Sequence, residues 1–322
     1  MDRFEYVSAT TVAEALAQLG EGRQVKAGGI DLLDRMKEGL SSPKRIVNIR
    51  TISELDGVEI DASGLTIGPT TTLATVAAHE PLRDSYRAIA DAARAAATPQ
   101  IRNVATAGGN LLQRPRCWYF RERDFDCLRK GGQGCFAQDG ANRYHAIFGN
   151  DLCAMVHPSD LAVPLTAFDA VLDLTSAKGT RKVPISTFYV GPETDPTRET
   201  DLHRDELLTA IRVPAPPPGT RSAYFKQKEK ESADWPLAGV AVALQISSGV
   251  VQRASVVLGA VAATPWRSKP AEAALTGRAI DEAAARRAAA AAVADAKPLA
   301  WNGYKVAVLE TIIRRTILEA AS

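Results

Sequence analysis

The chain has 322 residues, 46% of them hydrophobic and 24% charged, with 39 Lys and Arg against 37 Asp and Glu for a formal charge of +2. That length can bury more than one core, so two or three domains are expected, and the near-neutral balance gives no whole-chain ground for a nucleic-acid or anionic-membrane partner. No stretch approaches the roughly 20 apolar residues of a membrane span. The start, MDRFEYVSATTVAEALAQL, carries Asp2 and Glu5 and no apolar run of signal-peptide length, so the expectation is a chain without an export signal of its own, cytoplasmic as made.

In chain order, Ser8 to Leu19 predicts a capped amphipathic helix, because Thr11 precedes Val12, Ala13, Leu16 and Leu19 at helical spacing. In QVKAGGIDLLDRMKEG a short apolar piece ends at Ala27, meets Gly28 and Gly29, and passes at once into a helix through Leu32, Leu33 and Met36. RIVNIR and GLTIGPTTTL read as strand and turn. A helical run follows from Leu73 to Ala97, with Ala88, Ile89, Ala92 and Ala96 on one face, and then the string TPQIRNVATAGGNLLQRPRC. From Cys117 to Cys153 periodicity is lost, as in an insertion held by something other than an apolar core. It resumes with HPSDLAVPLTAFDAVLDLTS. The four prolines of VPAPPPG, Val213 to Gly219, mark a stiff connector. Beyond it, strand-like AGVAVALQI and ASVVLGAV, an alanine-rich helix around Ala283 to Ala296 and a closing amphipathic helix from Tyr304 to Ala320 predict a smaller α+β domain. Alanine's helix propensity makes the alanine tract read as a plain surface helix.

All four cysteines, Cys117, Cys127, Cys135 and Cys153, fall in one window, spaced C-x9-C-x7-C-x17-C. In a cytosolic chain a metal centre outranks disulfide bridges. The spacings are too long for the paired arms of a zinc finger or ribbon. Four thiolates suit a 4Fe-4S cluster, which is net anionic. Arg114, Arg116, Arg121, Arg123, Arg129, Lys130 and Arg143 share the window, either as countercharge or as a solvated docking face. The Arg-and-aromatic string RPRCWYFRERDF also permits base stacking, with nothing else in the chain to support it. His145 and His157 flank the window and read as hydrogen-bonding or packing residues, and Trp118 and Tyr119 as shielding.

Two Gly-Gly strings, KAGGIDLL and TAGGNLL, each follow an apolar segment. Glycine pairs let backbone N–H groups converge on an anion. Neither string is a G-x-G-x-x-G fingerprint or a P-loop, so the usual dinucleotide and NTPase readings lose support.

KAGGIDLLDRMKEG, IGPTTTL, PQIRNVATAGGNL, SDL, FKQ and AATPWRSKPAEAALTG, in that order over nearly the whole chain, resemble the FAD-binding subunit or domain of the molybdenum hydroxylases, the xanthine dehydrogenase and aldehyde oxidase family. The insertion, with PRCWYFRERDFDC and NRYHAIFG before VHPSD, is similar to the branch formed by flavin subunits of bacterial periplasmic aldehyde oxidases, which add a 4Fe-4S cluster. It is less similar to the hydroxybenzoyl-CoA reductase branch, and xanthine dehydrogenase lacks such an insertion.

The resemblance implies an α+β, two-subdomain FAD-binding fold of the vanillyl-alcohol oxidase type over residues 1–213, split near 55–60 and carrying the cysteine-rich insertion at 113–157. A linker at 214–221 and a C-terminal α+β domain at 222–322 complete it. It implies that Lys26, Ala27, Gly28, Gly29, Ile30, Asp31, Leu32 and Leu33 wrap the FAD pyrophosphate, with contacts from Thr106, Gly109 and Asn110. Asp160, with Ser159, meets the ribityl or adenosine part. Lys226, or its neighbour Lys228, lies at the flavin edge, where a cation stabilises the reduced ring. Cys117, Cys127, Cys135 and Cys153 hold the cluster. Taken singly, Thr106 reads as a helix cap, Asp160 as an N-cap after Pro158 and Lys226 as a surface lysine; taken together in family order, they read as an FAD site.

No acid–base or nucleophile constellation stands out, which fits a subunit that moves electrons. By resemblance, a large molybdenum-cofactor subunit transforms an aldehyde, a small 2Fe-2S subunit passes electrons to this FAD, and FAD hands them to an external acceptor. In such a heterotrimer, export to the periplasm would follow a partner's twin-arginine signal. The alternatives are a stand-alone FAD-dependent oxidase, the flavin subunit of a related xanthine, CO or hydroxybenzoyl-CoA enzyme, and a zinc-stabilised interaction module.

Overall fold

The computed structural model describes residues 1–230 and 234–322 and contains three sheets. In the first, β1 (Glu5–Ser8), β2 (Arg23–Lys26) and β3 (Arg45–Asn48) pair in parallel in the order β1-β3-β2. Parallel neighbours need crossovers, and the helices Val12–Ala17 and Ile30–Lys37 supply them. The predicted Ser8–Leu19 helix is therefore shorter, since pairing with β3 draws Ser8 into a strand. Thr11 caps it, its Oγ1 accepting from Glu14 N at 3.2 Å, a contact worth about 1 kcal/mol.

The second sheet holds β4 (Val58–Asp61), β5 (Gly64–Ile67), β6 (Val171–Ser176), β7 (Gly179–Pro184) and β8 (Leu207–Pro214), in the antiparallel order β4-β5-β8-β6-β7. Instead of one helix from Leu73 to Ala97 there are three, Leu73–Ala78, Leu82–Ser85 and Arg87–Ala95. Pro81 cannot donate to a continuing helix, and Tyr86 leaves the helical region at φ −128°. The expected face is nevertheless inside, with Ala88, Ile89, Ala92 and Ala96 all buried.

The third sheet is antiparallel, β12-β11-β10-β9, from β9 (Thr220–Gln227), β10 (Ala238–Ser247), β11 (Val250–Gly259) and β12 (Trp266–Arg267). Helices Lys269–Leu275, Glu282–Val293 and Tyr304–Ala321 cover one face. The alanine tract is not a plain surface helix. Ala284, Ala285, Ala288, Ala289 and Ala292 are buried in that layer, where a methyl side chain lets the helix approach closely, and Arg286 and Arg287 face outward. Pro214 still pairs with Gly64 and Thr220 already opens β9, so the stiff connector is 215–219. Tyr224, Ala241, Ala243 and Val257 of the third sheet share the largest core with Leu73, Ile89 and Leu161 of the preceding lobe.

Between residues 113 and 157 the only helices are the short Trp118–Arg121 and Leu128–Lys130. Rings and side-chain amides hold the segment together. Phe125 packs edge-on against Tyr119 and Phe136, each at 5.0 Å, and Asn142 Nδ2 donates to Ala137 O at 3.0 Å. The turn before the closing helix and the helix itself pin the segment: Asn302 Nδ2 donates to His145 O (3.2 Å) and Lys305 Nζ to His145 O (3.0 Å), while Lys305 Nζ also donates to Ala260 O (2.7 Å) beyond the segment. Among the described residues no helix is long and apolar enough to cross a membrane.

Candidate functional site

The first glycine string leaves β2 at Lys26 and turns into the helix Ile30–Lys37. Gly29 takes φ +81°, a left-handed conformation that favours glycine, and offers no side-chain cap. The first-turn amides of Ile30, Asp31 and Leu32 therefore have no intrahelical acceptor and face a ligand-sized space. Gly28 has a different reason. A Cβ there would run into the carbonyl oxygen of Val104, two residues before Thr106, so two strings some eighty residues apart in sequence touch through bare backbone.

In the second string Thr106 caps the helix Ala107–Leu111, its Oγ1 accepting from Gly109 N at 3.2 Å. Gly108 sits against Pro69, where a Cβ would lie 2.8 Å from the proline's Cβ, and Gly108 N donates to Pro69 O at 2.8 Å. IGPTTTL thus forms the wall behind the second turn, with Ala107 N donating to Thr71 O and Leu73 N to Ala105 O. Asn110 Oδ1 accepts from Ser159 Oγ at 2.6 Å and from Leu161 N at 3.2 Å, which ties this turn to the SDL segment.

One cavity of about 540 Å³ runs between the strings, within the size range of cofactor clefts. Lys26, Ala27, Gly28, Gly29, Ile30, Asp31, Leu32, Thr106, Gly109, Asn110, Asp160 and Lys226 all line it. Leu33 does not. It turns toward the small core of Leu32, Met36 and Ile46, as a residue one position further round the helix must.

Lys226 is not a surface lysine. Its side chain is 2% exposed, and Nζ lies 2.9 Å from Asp160 Oδ2 and 3.3 Å from Ala95 O. Tyr224 OH donates to Asp160 Oδ1 at 2.8 Å. Burial, and then the Asp160 charge, hold the Tyr224 hydroxyl well above its usual pKa, so it remains a donor. Asp160 is not the N-cap: the helix Ala162–Ala167 starts after Leu161 without a side-chain cap, and it is Ser159 whose Oγ accepts from Ala162 N at 3.0 Å. The cavity is thus lined by a neutralised ion pair rather than a lone cation. Sequence reading missed Tyr224, which the two-residue strand period places on the same face of β9 as Lys226. It also missed Ala97, a cavity-lining residue at φ +46° whose carbonyl, with that of Ala96, accepts from Arg102 at 2.9 Å.

Asp31 joins the cavity to the cysteine window. Its carboxylate meets Arg35 Nε (3.0 Å), Arg116 Nη2 (3.1 Å) and Arg121 Nη2 (2.5 Å), and accepts from Arg114 N at 3.2 Å. Burial raises its pKa, but Arg121, Arg116 and Arg35 outweigh burial and the net shift is downward. Arg114 grips Glu199 through two bonds of 2.8 Å, and Arg116 also lies over Trp235 at 4.5 Å. Several arginines of the window are therefore neither free countercharge nor a solvated face; they clamp it to the glycine loop and to the 195–199 segment.

All four cysteines are unpaired; Cys127 and Cys153 are buried, Cys117 and Cys135 partly so. Their thiols feel one another. Burial, with smaller contributions from Cys135 and Cys127, pushes Cys117 up to about 12, and a hydrogen bond from Cys153 makes Cys135 the more acidic of that pair. His145 Nε2 is 3.2 Å from Cys117 Sγ, His157 packs edge-on against Tyr189 at 4.2 Å, and Trp118 Nε1 donates to Ala141 O at 3.1 Å. Arg116 Nε, Arg129 Nε and Nη2, His145 Nδ1 and His157 Nε2 are buried without a hydrogen-bond partner among the described residues. Among the described residues no three His, Cys, Asp or Glu side chains gather as ligands of a metal ion.

Twin glycine turns closing on one cofactor-sized cleft define a site suited to a phosphate-bearing ligand. Comparison with known proteins gives the family. Residues 2–216 match the profile described as FAD binding domain in molybdopterin dehydrogenase, and residues 223–320 the CO dehydrogenase flavoprotein C-terminal domain. The chain is 36% identical to the aldehyde oxidoreductase FAD-binding subunit PaoB of Escherichia coli (strain K12), covering 99% of each chain. It is 30% identical to the carbon monoxide dehydrogenase medium chain of Hydrogenophaga pseudoflava, over 98% of this chain and 96% of that one. A solved carbon monoxide dehydrogenase structure from Hydrogenophaga pseudoflava superposes with a TM-score of 0.77 at 31% identity, covering 99% of this chain and 97% of the other. The protein belongs to the FAD-binding medium subunits of the molybdenum hydroxylase family and is an FAD-dependent oxidoreductase subunit.

Proposed function

We propose that this chain is the electron-relaying flavin subunit of a heterotrimeric molybdenum-containing aldehyde oxidoreductase. A large partner carrying the molybdenum cofactor transforms the substrate. A small partner with 2Fe-2S clusters delivers electrons to the FAD of this chain, and an external acceptor removes them. The observation that carries this reading is the Gly28–Val104 contact, which closes two anion-binding turns on one cleft in a chain that matches an aldehyde oxidoreductase FAD-binding subunit along its whole length.

Bound FAD supplies the capacity to take up and release electrons; the chain's residues bind and orient it. The free amides after Gly29 and the backbone around Thr106 and Gly109 would hold the pyrophosphate. The Asp160–Lys226 pair presents a polar, charge-balanced wall, and Tyr224 keeps Asp160 in place. Asn110 holds the second turn and the SDL segment in register.

Cys117, Cys127, Cys135 and Cys153 would hold a 4Fe-4S cluster. Four unpaired thiols in one aperiodic window support this reading, although among the described residues they do not gather as a ready ligand set. The test is anaerobic purification with flavin, iron and sulfide analysis. The flavin spectrum with a broad iron-sulfur shoulder is expected. Flavin alone would remove the cluster, flavin with aldehyde-oxidising activity from the isolated chain would make it a stand-alone oxidase, and a colourless zinc protein would overturn the whole reading.

A further inference from the structure

One stretch of the cavity wall extends beyond both glycine turns. Arg116 meets Asp31 at 3.1 Å and Asp34 at 3.0 Å on the helix Ile30–Lys37, and its guanidinium lies over the ring of Trp235 at 4.5 Å. Arg35 meets Asp31 at 3.0 Å, and Asp234 precedes Trp235 in the chain. All six line the cavity. Among the described lining residues Trp235 is the only aromatic, and it is 50% exposed. Its indole is backed by a guanidinium and still presents open surface.

The backbone tethers Trp235 close to Lys226. Gly239 pairs with Lys226 and Leu237 N donates to Gln227 O at 2.8 Å, so the chain entering β10 is fixed against the end of β9. Trp235 stands two residues before Leu237, at most about 7 Å of extended backbone away. Lys226 is the residue that the FAD reading puts at the flavin edge. A half-exposed aromatic plate near that edge suits a planar molecule that must approach the ring.

Charge selects among planar molecules. Three carboxylates, Asp31, Asp34 and Asp234, share this stretch with two guanidiniums, and each guanidinium is already matched to a carboxylate. The amides of the glycine turns serve the FAD pyrophosphate. A second diphosphate would therefore meet carboxylates and cations that are already paired, which disfavours a nicotinamide dinucleotide and favours an uncharged ring.

Resting on the reading that an external acceptor oxidises the FAD of this chain, we propose that Trp235 is the acceptor-stacking residue, held in place by Arg116, and that the acceptor is an uncharged planar quinone. The step balances: the reduced flavin anion gives up two electrons and one proton as a hydride, solvent supplies a second proton, FAD is left oxidised and the quinone departs as a hydroquinone. Trp235 takes no part in the transfer; it fixes the plane of the ring.

The test is calorimetric titration of the oxidised, flavin-loaded full-length chain, with flavin content measured on each sample, so that binding is read without turnover. The probe is duroquinone, whose fully methylated ring blocks addition by the cysteine thiols, and NAD is titrated in parallel. Trp235→Ala is expected to raise the Kd for duroquinone about tenfold, the loss of one stacked ring. Trp235→Phe, which keeps a ring, is expected to stay within about threefold of the wild type. Trp301→Ala, which removes a tryptophan that is 62% exposed and does not line the cavity, is expected to leave the Kd unchanged. NAD is expected to give no saturable heat. Flavin-replete Trp235→Ala with the wild-type Kd would overturn the assignment, as would an equal shift in Trp301→Ala or a flavin-replete wild type that binds no duroquinone. Loss of flavin from both Trp235 variants would also overturn it and make the residue part of the cofactor's own grip. Saturable NAD binding weakened by Trp235→Ala would overturn the choice of an uncharged acceptor. Wild-type protein without flavin would overturn the FAD reading itself, and this inference with it.

Discussion

Asp160→Asn removes one charge from a buried pair and changes almost nothing in shape. Both side chains are nearly inaccessible, 4% for Asp160 and 2% for Lys226, and their charged atoms are 2.9 Å apart. Removing one partner of such a pair costs about 3–5 kcal/mol, mostly because the other charge is left buried and unmatched. Asparagine keeps one oxygen for Tyr224 or for the ammonium, and Ala95 O still accepts from Lys226, which puts the expectation at the lower end, about 3 kcal/mol. At roughly 2 °C per kcal/mol for a chain of this size, melting should fall by about 6 °C. The double variant Asp160→Leu with Lys226→Met should cost less than the sum of its single variants, by about 2 kcal/mol. Because the ammonium would no longer be neutralised, the reduction potential of bound flavin should rise in Asp160→Asn. Calorimetry with a spectroelectrochemical flavin titration reads both. A single variant melting like the wild type, or additive costs in the cycle, would show that the pair is not a buried unit and refute the reasoning.

Three further outcomes follow from the same geometry. Gly28→Ala puts a methyl group into the Val104 carbonyl and should weaken FAD retention about tenfold or more, whereas Gly134→Ala, with open space around its Cβ, should leave it unchanged; flavin content after gel filtration checks both. Asp31 has a pKa held below its ordinary 3.8, so the stability it adds is complete above that value and drains as pH falls through the lowered pKa; melting followed down the acid limb should be flatter in Asp31→Asn, which starts less stable. Lys305 is the opposite case: burial pulls its pKa from 10.5 to about 7, the unfolded chain binds the extra proton between those values, and stability should rise with pH across that interval and lose this rise in Lys305→Met, as measured by denaturant unfolding.

Much of the site was legible along the chain because its signals are local. Gly28 and Gly29 after a short apolar piece and before a helical period define a strand, turn and helix on sight, and Thr106 ahead of Gly109 is a cap in any context. The closing helix and the buried face of Ala88, Ile89 and Ala92 follow from the 3.6-residue period. The departures have different causes. The Leu73–Ala97 run breaks at Pro81, a local signal, whereas the burial of the alanine tract and the pairing of Lys226 with Asp160 come from residues far away in the chain.

What the sequence determines by itself is the inventory: two Gly-Gly turns, four thiols in one aperiodic window, a proline-stiffened step between lobes, and a composition that burdens the whole chain with no large net charge. Only the tertiary structure decides which of these meet. β8 inserts between β5 and β6, Gly28 comes to rest on Val104, Tyr224 and Lys226 share one carboxylate, and Asp31 gathers arginines from the cysteine window. Spacing along a chain carries the short-range preferences of the backbone. Contacts between residues far apart in the chain are instead selected by burial, which is settled only when every lobe competes for the same apolar surface and every buried charge must find its partner.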